Sequence, residues 1–306
     1  MWLRWLVHSW VRQHAQQTLT ELVAEAVRGE PVRRPQPPRR SSPDDGTSED
    51  EAATMRSEAE RPPVSKAFLF ALELEAAGFL ERLREVRRVR GAAFTAHDGF
   101  LGDERVVIAE TGVGLQAARQ AAAELIDVYG PRWVISAGFA GGLATPVRRG
   151  HFVMADTIVA EDGRELSTGL KVPAESLAAQ PSLHAGRLVT VDRLVREASD
   201  KRDLHQRFGA TACDMESWSV AEACRDRKVR FVSVRVISDA VDDVLPREIE
   251  NLLGQKSLAG KMGAVAGALL NRPSSVKDMC NLYEEAQRGS ARLGKFLTGV
   301  AQQLGD

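Results

Sequence analysis

Cysteine is scarce: Cys213, Cys224 and Cys280 are the three in 306 residues, an odd number with no CxxC spacing. That excludes a disulfide framework and a structural zinc site and points to a reducing, cytoplasmic compartment. The six histidines, His8, His14, His97, His151, His184 and His205, form no HxxxH or HExxH pattern, so no metal is expected. Apolar runs stop at about six residues, far from the ~20 that a bilayer-spanning helix needs. Basic excess is missing too: 41 Lys and Arg against 42 Asp and Glu give a formal net charge of −1, which argues against nucleic acid as the main partner. Gly112 and Gly114 are followed by Ala117, so GxGxxG is not completed, and GxxxxGK[ST] and GxSxG are absent. No cofactor, P-loop or serine nucleophile is therefore indicated. Hydrolysis or group transfer would have to rest on carboxylates.

What is present is an ordinary globular composition, 43% hydrophobic and 27% charged, at a length that suits one large or two ordinary domains. The first 64 residues stand apart. Residues 1–29 hold three of the five tryptophans, Trp2, Trp5 and Trp10, and Leu3, Leu6, Val7 and Trp10 recur at helical spacing. This predicts an amphipathic helix, either a peripheral anchor at the inner face of a membrane or a surface for docking on the rest of the chain or on a partner protein. Arginine and histidine interrupt its apolar stretch, which argues against a signal peptide. Residues 30–64 hold seven of the thirteen prolines, no aromatic residue and blocks of opposite charge, and are expected to be a disordered linker.

From residue 65 to 306 strand-like and helix-like windows alternate. The strands expected are Ala67–Leu72, Val106–Ala109, Trp133–Ala137, Phe152–Val159, Leu188–Val191 and Phe231–Ile237. The helices are Leu115–Tyr129, Glu216–Lys228, Gln255–Asn271 and Val276–Leu304. Such alternation predicts an α/β domain with a central, mostly parallel, twisted sheet flanked by helices. Ligands of such sheets bind beyond the carboxyl ends of strands. The chemically interesting residues lie there: Glu73 and Glu75, then Thr111-Gly112-Val113-Gly114, then Gly138-Phe139-Ala140-Gly141-Gly142, and Ser238-Asp239, with Glu216 opening a helix.

Four stretches carry a family resemblance: Phe70-Ala71-Leu72-Glu73-Leu74-Glu75, Glu110-Thr111-Gly112-Val113-Gly114, Ser136-Ala137-Gly138-Phe139-Ala140-Gly141-Gly142, and Asp214-Met215-Glu216 followed by Val234-Arg235-Val236-Ile237-Ser238-Asp239. Together they resemble the nucleoside phosphorylase and nucleosidase superfamily, and within it the 5′-methylthioadenosine/S-adenosylhomocysteine nucleosidases. The resemblance implies a three-layer fold, a homodimer, no cofactor and a purine nucleosidase that releases adenine from a 5′-substituted adenosine. It implies Asp239 as the acid that protonates purine N7, oriented by Ser238, and Glu75 as the base that deprotonates water. Glu216 would hold the ribose hydroxyls, Met215 would pack on the sugar, Leu194 would stand in for a purine-stacking phenylalanine, and Thr111, Gly112 and Gly138 would line the site.

Phosphate is the alternative acceptor. Glu110 beside the Thr111 turn would repel a dianion, which favours water, although Arg87, Arg88 and Arg90 offer cations. Leu245-Pro246 and Leu269-Leu270-Asn271-Arg272-Pro273 look more like the hopanoid-associated phosphorylases, so phosphorolysis of a lipid-linked adenosine is a second reading. A third is a non-catalytic nucleoside-binding module, against which the retention of Glu75, Glu216 and Asp239 argues.

Overall fold

A computed structural model describes residues 61–246, 249 and 273–305, with side chains in the last helix described from residue 283. The expected helix at 1–29, most of the expected linker and the expected helix Gln255–Asn271 lie outside the described residues. Residues 61–64, expected to end the linker, belong to the folded unit, which begins at Arg61. Val64 is buried, and the Arg61 guanidinium lies 3.0 Å from Asp98.

The elements run β1 (Lys66–Phe70), α1 (Glu73–Leu80), β2 (Arg84–Arg90), β3 (Thr95–Leu101), β4 (Glu104–Glu110), α2 (Leu115–Tyr129), β5 (Trp133–Gly142), β6 (Phe152–Ala160), β7 (Glu165–Ser167), α3 (Ala174–Ala179), β8 (Leu183–Thr190), α4 (Ala198–Phe208), β9 (Ala212–Asp214), α5 (Ser217–Arg227), β10 (Arg230–Asp239) and α6 (Pro273–Gln303). All ten strands join one sheet. Strand β5 pairs parallel with β1 and β10; β10 pairs antiparallel with β6, β6 parallel with β8, β8 parallel with β9, and β9 antiparallel with β5. Five strands thus close on themselves, and β1, β4, β3 and β2 extend from them as an open arm. The architecture is the expected α/β sheet with flanking helices, but the pairing is mixed, because β2–β3–β4 is a meander, β6 runs against β10, and the short β7 and β9 run against β6 and β5. Among the described residues no helix is long and apolar enough to cross a membrane.

The central strands are buried along nearly their whole length. Strand β1, KAFLF, is buried at every position, and β10 is buried from Phe231 to Ile237. That is the signature of strands covered on both faces. Strand β2, REVRRVR, is the reverse: it is an exposed sheet edge lined with arginine, and such charge discourages pairing with another chain. Helix α2 buries Ala118, Ala121, Ala122, Leu125 and Ile126, a stripe at helical spacing, and stops at Gly130 in the left-handed conformation (φ 56°).

Helix α6 crosses α1 at backbone contact. A Cβ on Gly78 would meet the Ser290 carbonyl, and one on Gly294 would meet the Gly78 carbonyl. Ser290 Oγ accepts from Gly78 N–H at 2.9 Å and donates to the Glu75 carbonyl at 3.2 Å. The last helix therefore fixes the helix that carries Glu75.

Candidate active site

Strand β1 ends at Phe70, and the chain turns at once into α1, so Glu73 and Glu75 lie in the first helical turn and not on a strand end. In a helix two residues apart are separated by about 200°, which sends them to different surroundings. Glu73 is exposed and Glu75 is buried. The Glu75 carboxylate accepts from Leu72 N–H at 2.9 Å and from Phe139 N–H at 2.7 Å. Gly138 makes this approach possible, since a Cβ there would stand 2.6 Å from Glu75 Oε1. Burial raises the Glu75 pKa above the usual carboxylate range, against the lowering pull of these N–H groups and of Arg235.

Glu216 precedes α5 at its cap position but makes no capping bond there. Its carboxylate instead accepts from Gly114 N–H at 2.9 Å, at the N-terminus of α2, where the helix dipole favours negative charge. Gly114 has φ 100°, a conformation that suits glycine, and this backbone turn aims the N–H. Burial, with the charges of Asp214 and Glu75, pushes the Glu216 pKa up to about 8.

Between Glu75 and Glu216 lies a cavity of about 10 Å³, walled also by Phe70, Thr111, Gly138 and Arg235. That is room for roughly one water and not for a nucleoside. Arg235 is buried and committed: its Nε and Nη2 donate to Asp214 Oδ2 at 2.9 and 2.6 Å, and Nη2 donates also to Ser136 Oγ and Ser217 Oγ at 2.8 and 2.9 Å. Asp214 in turn accepts from Thr190 Oγ1 at 2.8 Å and from Ser217 N–H at 3.1 Å.

Asp239 is buried at the end of β10 and is not on the wall of that cavity. Its Oδ1 accepts from Ser238 Oγ at 2.5 Å, and its Oδ2 lies 2.5 Å from Lys201 Nζ. It lies against Gly141, where a Cβ would be 3.4 Å from Asp239 Oδ2 and 3.2 Å from Cys213 Sγ. Gly138 and Gly141 on β5 thus stand against Glu75 and Asp239.

The structure brings Glu75, Glu216, Thr111 and Gly138 to one cavity and sets Asp239 and Ser238 further along β5 and β10. Gly112 is exposed; Met215 and Leu194 are half-buried, and none of the three lines the cavity. Sequence reasoning passed over Asp214, Ser136, Ser217 and Lys201. Asp214 and Ser136 lie inside the quoted motifs, whereas Lys201 carries no motif and shows itself only through its burial in α4.

The class of protein follows from comparison with known families: the chain belongs to the Phosphorylase superfamily, whose family profile matches residues 66–271. Among characterised relatives, the 5′-methylthioadenosine/S-adenosylhomocysteine nucleosidase of Colwellia psychrerythraea is 27% identical over 210 residues, covering 60% of this chain and 86% of that protein. Among solved structures, the Helicobacter pylori nucleosidase of the same name, complexed with a substituted pyrrolidin-3-ol, has a TM-score of 0.59 at 19% identity, covering 79% of this chain and 100% of that one. The futalosine hydrolase of Helicobacter pylori has a TM-score of 0.61 at 19% identity, covering 79% and 98%. At these identities the solved structures establish the fold.

Proposed function

We propose that the protein is an N-ribosyl hydrolase that releases adenine from a 5′-substituted adenosine of the methylthioadenosine/S-adenosylhomocysteine type. The observation that carries the reading is the water-sized cavity between Glu75 and Glu216, whose one lining cation, Arg235, is already spent on Asp214. A phosphate dianion would need an uncommitted cation, and the lining offers none, so the cavity favours water. The name borne by the relatives at 26–27% identity supports the same reaction.

The chemistry follows from the parts. Glu75, with its raised pKa, is a stronger base than an ordinary carboxylate and takes a proton from the water as that water attacks the anomeric carbon. Glu216 accepts hydrogen bonds from the ribose hydroxyls, and in its ionised form, which its pKa of about 8 makes dominant only at alkaline pH, its charge offsets the oxocarbenium character that develops on the sugar. Met215 packs on the sugar, and Leu194 offers the purine an aliphatic contact. Asp239, oriented by Ser238, must enter the reaction protonated in the substrate complex; it gives that proton to purine N7 as the bond to N9 breaks, so adenine leaves neutral, and the proton that Glu75 takes from water balances it.

The test is release of free adenine from a panel of 5′-substituted adenosines, with and without phosphate. Release without phosphate, leaving a free 1-hydroxyl on the sugar, is expected. Release that requires phosphate would make the protein a phosphorylase, and no release from any member would end the enzymatic reading.

A further inference from the structure

We propose that Lys201 is the positioning residue of Asp239, holding the acid and the turn behind it as one unit; this rests on the reading of Asp239 given above. Helix α4 is a polar helix with two buried residues, Lys201 and Leu204, and Lys201 is among the most completely buried side chains of the described residues. Its ammonium group donates to the Ala240 carbonyl at 2.9 Å and to the Asp243 carbonyl at 2.7 Å, and lies 2.5 Å from Asp239 Oδ2 as an ion pair. Asp239 Oδ1 takes the Ser238 hydroxyl, whereas Oδ2 is buried with no hydrogen-bond donor of its own. The one group that faces Oδ2 is thus the charge of Lys201, from a helix far away in sequence.

The same turn is tied a second time. Arg196, just before α4, donates to the Leu245 carbonyl at 2.9 and 3.1 Å, and Leu245 N–H donates back to the Arg196 carbonyl at 3.2 Å. Within the turn Ala240 N–H donates to Asp243 Oδ2 at 2.8 Å. Residues 239–245 therefore move with α4 or not at all. A buried ion pair is a poor means of stabilising a fold, because two apolar side chains of similar volume do as well or better. A lysine earns its place if the orientation of Asp239 matters, since a displacement of about 1 Å at a reacting group can cost ~100-fold in rate.

The experiment compares Lys201→Met, Lys201→Arg, Asp239→Asn and the double variant Lys201→Met/Asp239→Asn in the full chain, with kcat and KM for adenine release and thermal unfolding measured for each. Lys201→Met is expected to lower kcat about 100-fold with KM within about threefold, and Lys201→Arg, which keeps the charge, to stay within about tenfold of the unaltered protein. Asp239→Asn and the double variant should have the same residual activity, because a residue that acts through Asp239 has nothing left to position. Where Lys201→Met fails to fold, the double variant, free of both charges, and Lys201→Arg decide the matter. The proposal is overturned if Lys201→Met keeps its kcat, or if the double variant falls below Asp239→Asn by the same factor that Lys201→Met costs alone. Full activity in Asp239→Asn would instead bring down the assignment of the acid itself, so the two failures are distinct.

Discussion

Replacing Glu216 by Gln should make the protein more stable at alkaline pH while destroying its activity. The Glu216 pKa rises from 4.5 to about 8 on folding, through burial and the nearby charges of Asp214 and Glu75. A carboxyl group raised in this way binds its proton more tightly in the folded state. Its contribution to stability is complete below pH 4.5 and is lost as pH climbs through about 8. The window spans about 3.5 pH units, and at 1.36 kcal/mol per unit the ceiling is about 5 kcal/mol. Glu75 titrates in the same cavity and takes part of that total, so a measured gain of about 3 kcal/mol is expected for Glu216→Gln at pH 8.5. Glutamine keeps an acceptor for Gly114 N–H and turns a donor towards the carboxylates. For a domain of this size the gain raises the unfolding midpoint by roughly 6–12 °C. Thermal unfolding at low salt should show this difference at pH 8.5 and almost none at pH 5. An equal shift at both values, or a lower midpoint at pH 8.5, would refute the account of a costly buried charge.

Two further substitutions probe the scaffold around that charge. Gly138→Ala puts a methyl group 2.6 Å from Glu75 Oε1, so the carboxylate must leave Phe139 N–H; kcat should fall ~10- to 100-fold, and an unchanged kcat would sink the role given to this approach. Gly78→Ala drives a methyl group into the Ser290 backbone where α1 crosses α6, a contact with no flexible end to yield; a loss of about 3 kcal/mol or more is expected in urea unfolding, and a loss below about 1 kcal/mol would contradict the crossing.

How far the sequence could be read depended on how simply burial was written into it. Helix α2 matches its expected bounds because its apolar stripe has one period and ends at a glycine. Strands β1, β5, β6 and β10 announced themselves as runs with hydrophobic neighbours on both sides. Strand β2 is mostly arginine and glutamate and was invisible, since an edge strand gains its place from partners and not from its own burial. Helix α4 was hidden for a similar reason: one of its two inward residues is a lysine, which pattern reading assigns to solvent. Glu73 and Glu75 were expected after the end of a strand, with nothing to tell them apart; the helix that begins there turns one to water and one to the core.

The motifs supplied residue types, and therefore chemistry, without partners. Arg235 lies inside a quoted motif that assigns it no partner; the fold commits it to Asp214, which no spacing rule connects to it. Amino-acid order determined the alternation of strands and helices and the carboxylates at their ends, because those depend on local periodicity and on the side chains themselves. Tertiary structure alone decided that Glu75 and Glu216 share a water-sized space, and that Asp239 answers to a buried lysine on another helix. Burial and charge pairing arise between segments distant in the chain, where periodicity carries no information.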